Sequence, residues 1–293
     1  MSGQLRRLLW DNPMNLETTR VLRRFLSVGG VKSSRRVNRA AFATLAGLYV
    51  WMLVSIAYYR EDMSSLFLWL ELITLTLAIP ASVYAAISGE RERLTWDSLI
   101  LTRLSPARLL VGKLLWRTLM IGAIMVLFFA PALWAHGLAT NHQADYTWSE
   151  MWQTQGIMGA WSLFLLCFTL MVSSKTKRSV TTLALTTAAL FSFLVLLPGL
   201  YSVFGGDPMH PKSDGNALAL VSQWMLWHHP LFALEWLNKH ENGGLSRGEY
   251  ELTYWCAGHV LPFFYLGFAA ICIVKTLSAL RRLGLPTGGL GKE

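Results

Sequence analysis

The chain has 293 residues, of which 53% are hydrophobic and only 15% charged, with a mean hydropathy of +0.39. Soluble domains carry about 25% charged residues, so the composition excludes an ordinary soluble globular domain and points to a membrane protein. The formal charge of +9 does not by itself call for a nucleic acid, because in such a chain the placement of the positive residues is what matters.

Thirteen tryptophans fit the same class, since indole rings settle at the membrane–water boundary. Cys167, Cys256 and Cys272 fall within apolar runs without metal-ligand spacing, so they are expected to pack as small apolar residues. The N-terminus lacks an apolar core followed by a small-residue cleavage site, and no removable signal peptide is expected.

Residues 1–40 form a basic segment containing one amphipathic helix. Asn12-Pro13 supplies a cap and first-turn pair, after which Met14, Val21, Leu22, Phe25, Leu26 and Val28 gather on one side. Arg20, Arg23 and Arg24 gather on the other. Such a helix lies in the headgroup plane with its apolar face against membrane lipid.

Six runs are long enough to cross about 30 Å of hydrocarbon as helices. They cover roughly 41–59, 65–87, 114–135, 155–173, 180–204 and 254–274. The expected fold is therefore an all-α integral membrane domain over 41–274, followed by a tail over 275–293. Lysine and arginine distribution sets the orientation: 21 lie in the N-terminal segment, the 88–113 and 174–179 loops and the tail, against 4 in the other loops. Both termini and the 88–113 loop are expected in the cytoplasm. The stretch 217–237 is apolar, but His228-His229-Pro230 breaks it, and a seventh span would place Arg281 and Arg282 outside. It is read as outer helices, re-entrant or interfacial, broken at Pro230.

Glu71 is the one acidic residue within an expected span. An ion pathway would use such a group, but it lies near the outer end of its helix, where water or Arg60 could satisfy it. Pro80, Pro131, Pro198 and Pro262 are expected to kink four spans. His136, His142, His210, His228, His229 and His240 fall on the outer side with no metal-binding spacing, so no metal site is expected.

Between the second and third spans, residues 87–108 are dense in alternating charge. Thr95 can cap a short helix starting at Trp96, with Asp97 in its first turn. Ser105-Pro106 has the form of an N-cap and first helical residue leading directly into the third span. Charge alone leaves two readings, a solvated loop or a lever across the membrane face. Catalytic motifs are missing. The tail Gly288-Gly289-Leu290-Gly291-Lys292-Glu293 fails as a phosphate loop, because Pro286 replaces its first glycine and Glu293 its Ser/Thr.

In this stretch the chain resembles the permease subunits of ABC-2-type ABC transporters. The matching residues are Glu90-Arg91-Glu92, Thr95-Trp96-Asp97, Leu104-Ser105-Pro106 and Gly112-Lys113. Leu94 stands where the family commonly has glycine, and Arg103 where it has proline. The resemblance implies a coupling helix between spans 2 and 3, with Glu90, Arg91, Glu92, Thr95, Trp96, Asp97, Leu104, Ser105 and Pro106 serving docking and force transfer rather than catalysis. It further implies a separate ATP-binding subunit holding ATP and magnesium, a second permease subunit, and residence in a bacterial inner membrane. No cofactor in this chain and no nucleic-acid partner are expected. Two alternatives stay open: an intramembrane enzyme using Glu71 or the histidines, and a non-transporting membrane anchor for a cytoplasmic partner.

Overall fold

The computed structural model describes residues 47, 49–55, 58, 64–101, 104–138, 147–199, 228–239 and 256–284. These residues are helical or in helix-connecting turns, with no strand among them. The expected interfacial helix with Arg20, Arg23, Arg24 and Phe25 lies outside them, as does most of the first span, of which 49–55 are helical.

The elements are α1 (Ser64–Val83), α2 (Ser88–Glu92), α3 (Trp96–Leu101), α4 (Pro106–Leu138), α5 (Trp148–Lys175), α6 (Ser179–Phe191), α7 (Pro230–Lys239) and α8 (Leu261–Arg282). Five helical stretches, Ser64–Glu92, Pro106–Leu138, Trp148–Lys175, Ser179–Gly199 and Gly258–Arg282, are long and apolar enough to cross a membrane. At about 1.5 Å per residue each reaches the roughly 30 Å that a hydrocarbon core demands. α7 has ten residues, about half the required length. Its Phe232, Ala233, Leu234 and Leu237 are buried in the common core.

The bundle is built around α5, which packs on α1, α4, α6, α7 and α8. Met151, Ile157, Met158, Trp161, Leu165 and Leu166 of α5 are all buried. α5 begins seven residues before the expected start of its span. Thr147 and Glu150 form a reciprocal capping box: the Glu150 N–H donates to Thr147 Oγ1 at 3.3 Å, and the Thr147 N–H to Glu150 Oε2 at 2.7 Å. Those bonds satisfy two donors that a bare helix start leaves unpaired. Other bounds also extend beyond the apolar runs, with α4 starting at Pro106 and α8 continuing to Arg282.

The four prolines behave in two ways. Pro80 and Pro131 sit inside α1 and α4 without ending them. Pro198 and Pro262 each follow, by two residues, a π-helical turn, Ser192–Leu196 and Cys256–Val260. A proline lacks an N–H, and its ring crowds the carbonyl four residues earlier, here Leu194 or Gly258. Widening the preceding turn accommodates it, and the Leu197 N–H bonds back five residues to the Ser192 carbonyl.

Glu71 does not reach water. Its side chain is fully buried against α5, where Gln155 Nε2 donates to Glu71 Oε2 at 2.7 Å. Arg60 lies outside the described residues. Five residues further along α1, the Trp161 Nε1–H donates to Thr76 Oγ1 at 3.0 Å. Together the two bonds join α1 and α5 along their length.

Candidate functional site

Residues 88–101 fold as two short helices joined by a turn, and 104–105 lead into α4. α3 starts at Trp96 and α4 at Pro106, the positions expected for them. Ser105 acts as the cap of α4, its Oγ accepting from the Arg108 N–H at 3.3 Å. The Thr95 hydroxyl donates to the Glu90 carbonyl at 3.1 Å, and the Thr95 N–H to the same oxygen at 3.0 Å, closing the turn between α2 and α3. That turn passes through Leu94 with φ +58°, the left-handed conformation that favours glycine. The side chain of Leu94 is 81% exposed.

α2 is joined to three other helices. Ser173 Oγ on α5 accepts the N–H groups of Ile87 and Ser88 at 3.1 and 3.0 Å, and the Thr182 hydroxyl of α6 donates to Ser88 Oγ at 3.0 Å. Lys113 Nζ on α4 lies 2.6 Å from Glu90 Oε1 in a partly buried ion pair. Arg91 Nη1 donates to the Thr176 carbonyl at 2.9 Å, just past the C-terminus of α5, where a cation also suits the helix dipole. Glu92 Oε2 accepts from the backbone N–H of Ser179 at 3.1 Å and from its hydroxyl, at the first residue of α6.

α3 reaches the remaining long helix. Trp96 is buried, and its Nε1–H donates to the Leu283 carbonyl at 3.3 Å, just beyond the end of α8. Gly284, at φ +88°, turns the chain away there. The 88–106 segment therefore continues from α1, leads into α4, and bonds to the ends of α5, α6 and α8. Leu104 is buried and Leu101 is 82% exposed; the side chain of Asp97 lies outside the described residues. Glu90, Arg91, Glu92 and Trp96 direct bonds inward, while Leu94 and Leu101 face away from the bundle.

Sequence reading selected the motif residues and missed their receivers, Lys113 apart. Ser173, Thr176, Ser179 and Thr182 are ordinary small polar residues at helix ends. Only the serine–threonine–lysine run around 173–182, beside an apolar span, hinted at a bonded corner. What the arrangement does is tie the ends of α4, α5, α6 and α8 to one short segment. Among the described residues, no three of His, Cys, Asp and Glu converge as a metal site. No protein-family model matches the chain, and no curated protein matches it.

Proposed function

We propose that the chain is the membrane-spanning permease subunit of an ABC-2-type ABC transporter working as an exporter. In this reading ATP and magnesium are bound by a separate ATP-binding subunit, and a second permease subunit completes the path. The observation that carries the proposal is that one short segment is joined, by chain continuity or by bonds, to each of the five long helices among the described residues. A push on that segment by a partner would act on all of these helices at once, which a simple connecting loop would not do. The motif of residues 90–106 supports the same reading. So does the gathering of Arg91, Arg93, Lys175, Arg178, Arg281 and Arg282 at or beside this end, the bias expected of a cytoplasmic face in a bacterial inner membrane.

In this reading the motif residues and their neighbours divide into two roles. Glu90, Arg91, Glu92 and Trp96 transmit, because their polar atoms are bonded to other helices of the same chain. Leu94 and Leu101 dock, because they are large apolar side chains left exposed on this segment.

The test is purification in mild detergent from the native membrane, followed by vesicle transport. An ATP-binding protein is expected to copurify with the chain and to be released by Leu94→Asp or Leu101→Asp. Glu90→Gln is expected to retain it while uncoupling ATP hydrolysis from movement of cargo. Absence of any such subunit from the wild-type preparation would overturn the proposal. Retention of the ATPase without ATP-dependent movement would favour a membrane anchor instead.

A further inference from the structure

A cavity of about 500 Å³ lies between α5, α6 with its π turn, and α8, and opens on one side. Its deep wall is made by Trp161 and Tyr265, both buried. Phe164 stacks on Tyr265 with ring centres 6.0 Å apart, and Phe193 on Trp161 at 5.8 Å. The two polar tips of that wall are committed elsewhere. The Trp161 N–H is bonded to Thr76 behind it, and the Tyr265 hydroxyl donates to the His228 carbonyl at 2.6 Å. The deep wall therefore presents ring carbon to the interior. Water there would lack the two to four partners it needs.

The mouth lies between Ala189 and Ser192 on α6 and Phe268 on α8, all exposed. The same two helical stretches carry the exposed side chains Phe191, Val195, Leu196, Phe263 and Ile271. For helices that cross a membrane, that surface is the one hydrocarbon covers. The cavity is thus continuous with the lipid-facing surface, and only at its rim do Ser192 and His228 offer polar atoms. Its size falls within the roughly 300–1,000 Å³ of ordinary ligand pockets. The π turn at Ser192–Leu196 contributes Ser192 and Phe193 to the lining, so the widened backbone before Pro198 helps to shape the site.

We infer that this cavity is a binding site for one hydrocarbon chain of a membrane lipid, which enters sideways between α6 and α8 and leaves its polar head at the rim. The inference rests on the membrane-spanning character of these helices and not on the transporter reading, so either can fail without the other.

The experiment places the full chain in nanodiscs made with a phospholipid carrying a photoactivated diazirine in its acyl chain. After illumination, labelled positions are mapped by peptide mass spectrometry. Label is expected on Phe164, Phe168 and Phe193 as well as on the outward residues Phe263 and Ile271. Ala189→Trp at the mouth is expected to lower cavity labelling several-fold and leave outward labelling unchanged. Label confined to Phe263, Ile271 and their like in the wild-type chain would overturn the site whatever the variant does. So would cavity labelling by a water-soluble diazirine alone, or crosslinks from cavity residues to a second copy of the chain in place of lipid.

Discussion

Lys113 closes on Glu90 across the start of α4, with Nζ 2.6 Å from Oε1 and the lysine side chain only 4% exposed. Twenty-three positions apart in sequence, the two residues hold α2 against the helix that leaves the same segment. An ammonium taken this far from water requires its partner, so losing either charge leaves the other uncompensated.

Removing one charge should therefore cost more than removing both. Lys113→Met or Glu90→Gln is expected to destabilise the detergent-solubilised protein by about 2 kcal/mol. That is less than the roughly 3–5 kcal/mol of a fully buried pair, because Glu90 retains some exposure. The double variant should recover part of the loss, and a double-mutant cycle on thermal unfolding measures the coupling. Additive losses would show that the pair contributes nothing as a pair.

Leu94 is held at φ +58° with its side chain in solvent. A left-handed residue with a Cβ costs roughly 1–2 kcal/mol, and glycine gives back roughly 0.5–1 kcal/mol through its freer unfolded chain. Leu94→Gly should then raise stability by about 0.5–1 kcal/mol net. Leu94→Val should lower it. A thermal shift in the opposite order would contradict the strained turn. If the docking role proposed for Leu94 holds, the glycine variant should also bind the ATP-binding subunit less tightly while folding better.

The Gln155–Glu71 bond predicts an asymmetric pair of variants. Glu71→Gln keeps an acceptor for the Gln155 amide and should remain near wild-type stability. Gln155→Leu leaves the Glu71 carboxyl buried without that donor and should cost about 1–3 kcal/mol. Chemical unfolding in mixed micelles compares them. Equal losses in both would point to shape rather than hydrogen bonding.

His229 gives the protein an acid-sensitive point. The ring is buried and stacks on Phe193 with centres 5.3 Å apart. Burial pushes the imidazole down to about 4, while the backbone of Leu194 and Phe193 pulls the other way. The folded value thus lies below the unfolded one, about 6.5. Stability from this group is complete above pH of about 6.5 and is lost as the pH falls toward 4. Melting temperature measured across that window should decline in the wild type and decline less in His229→Phe. Parallel curves would place the acid sensitivity elsewhere.

Among the described residues, helix content and five membrane-length helices were legible from apolar run length, because a backbone in hydrocarbon must satisfy its own hydrogen bonds. The start of α4 was legible too, since capping by Ser105 is a local exchange between a side chain and the next few amides; α3 starts at the expected Trp96, while the Thr95 hydroxyl bonds back to the Glu90 carbonyl. The start of α5 was written in Thr147 and Glu150 but lies outside its apolar run, so hydropathy passed over it. Prolines 198 and 262 announced an interruption, though not that a π turn would precede each of them.

Composition, pattern and caps thus determined what each stretch of chain is: a membrane-length helix, a short capped helix, a charged crossing between two spans. Only the tertiary structure decided what the charges in that crossing face. Glu90, Arg91 and Glu92 could each have been in solvent, and no local rule pairs them with Lys113, Thr176 and Ser179. Those bonds exist because α4, α5 and α6 end at the same level beside α2, a coincidence set by how the helices pack around α5. The same packing buries Glu71 against Gln155 and leaves an aromatic cavity between α5, α6 and α8. Its lining comes from residues more than a hundred positions apart.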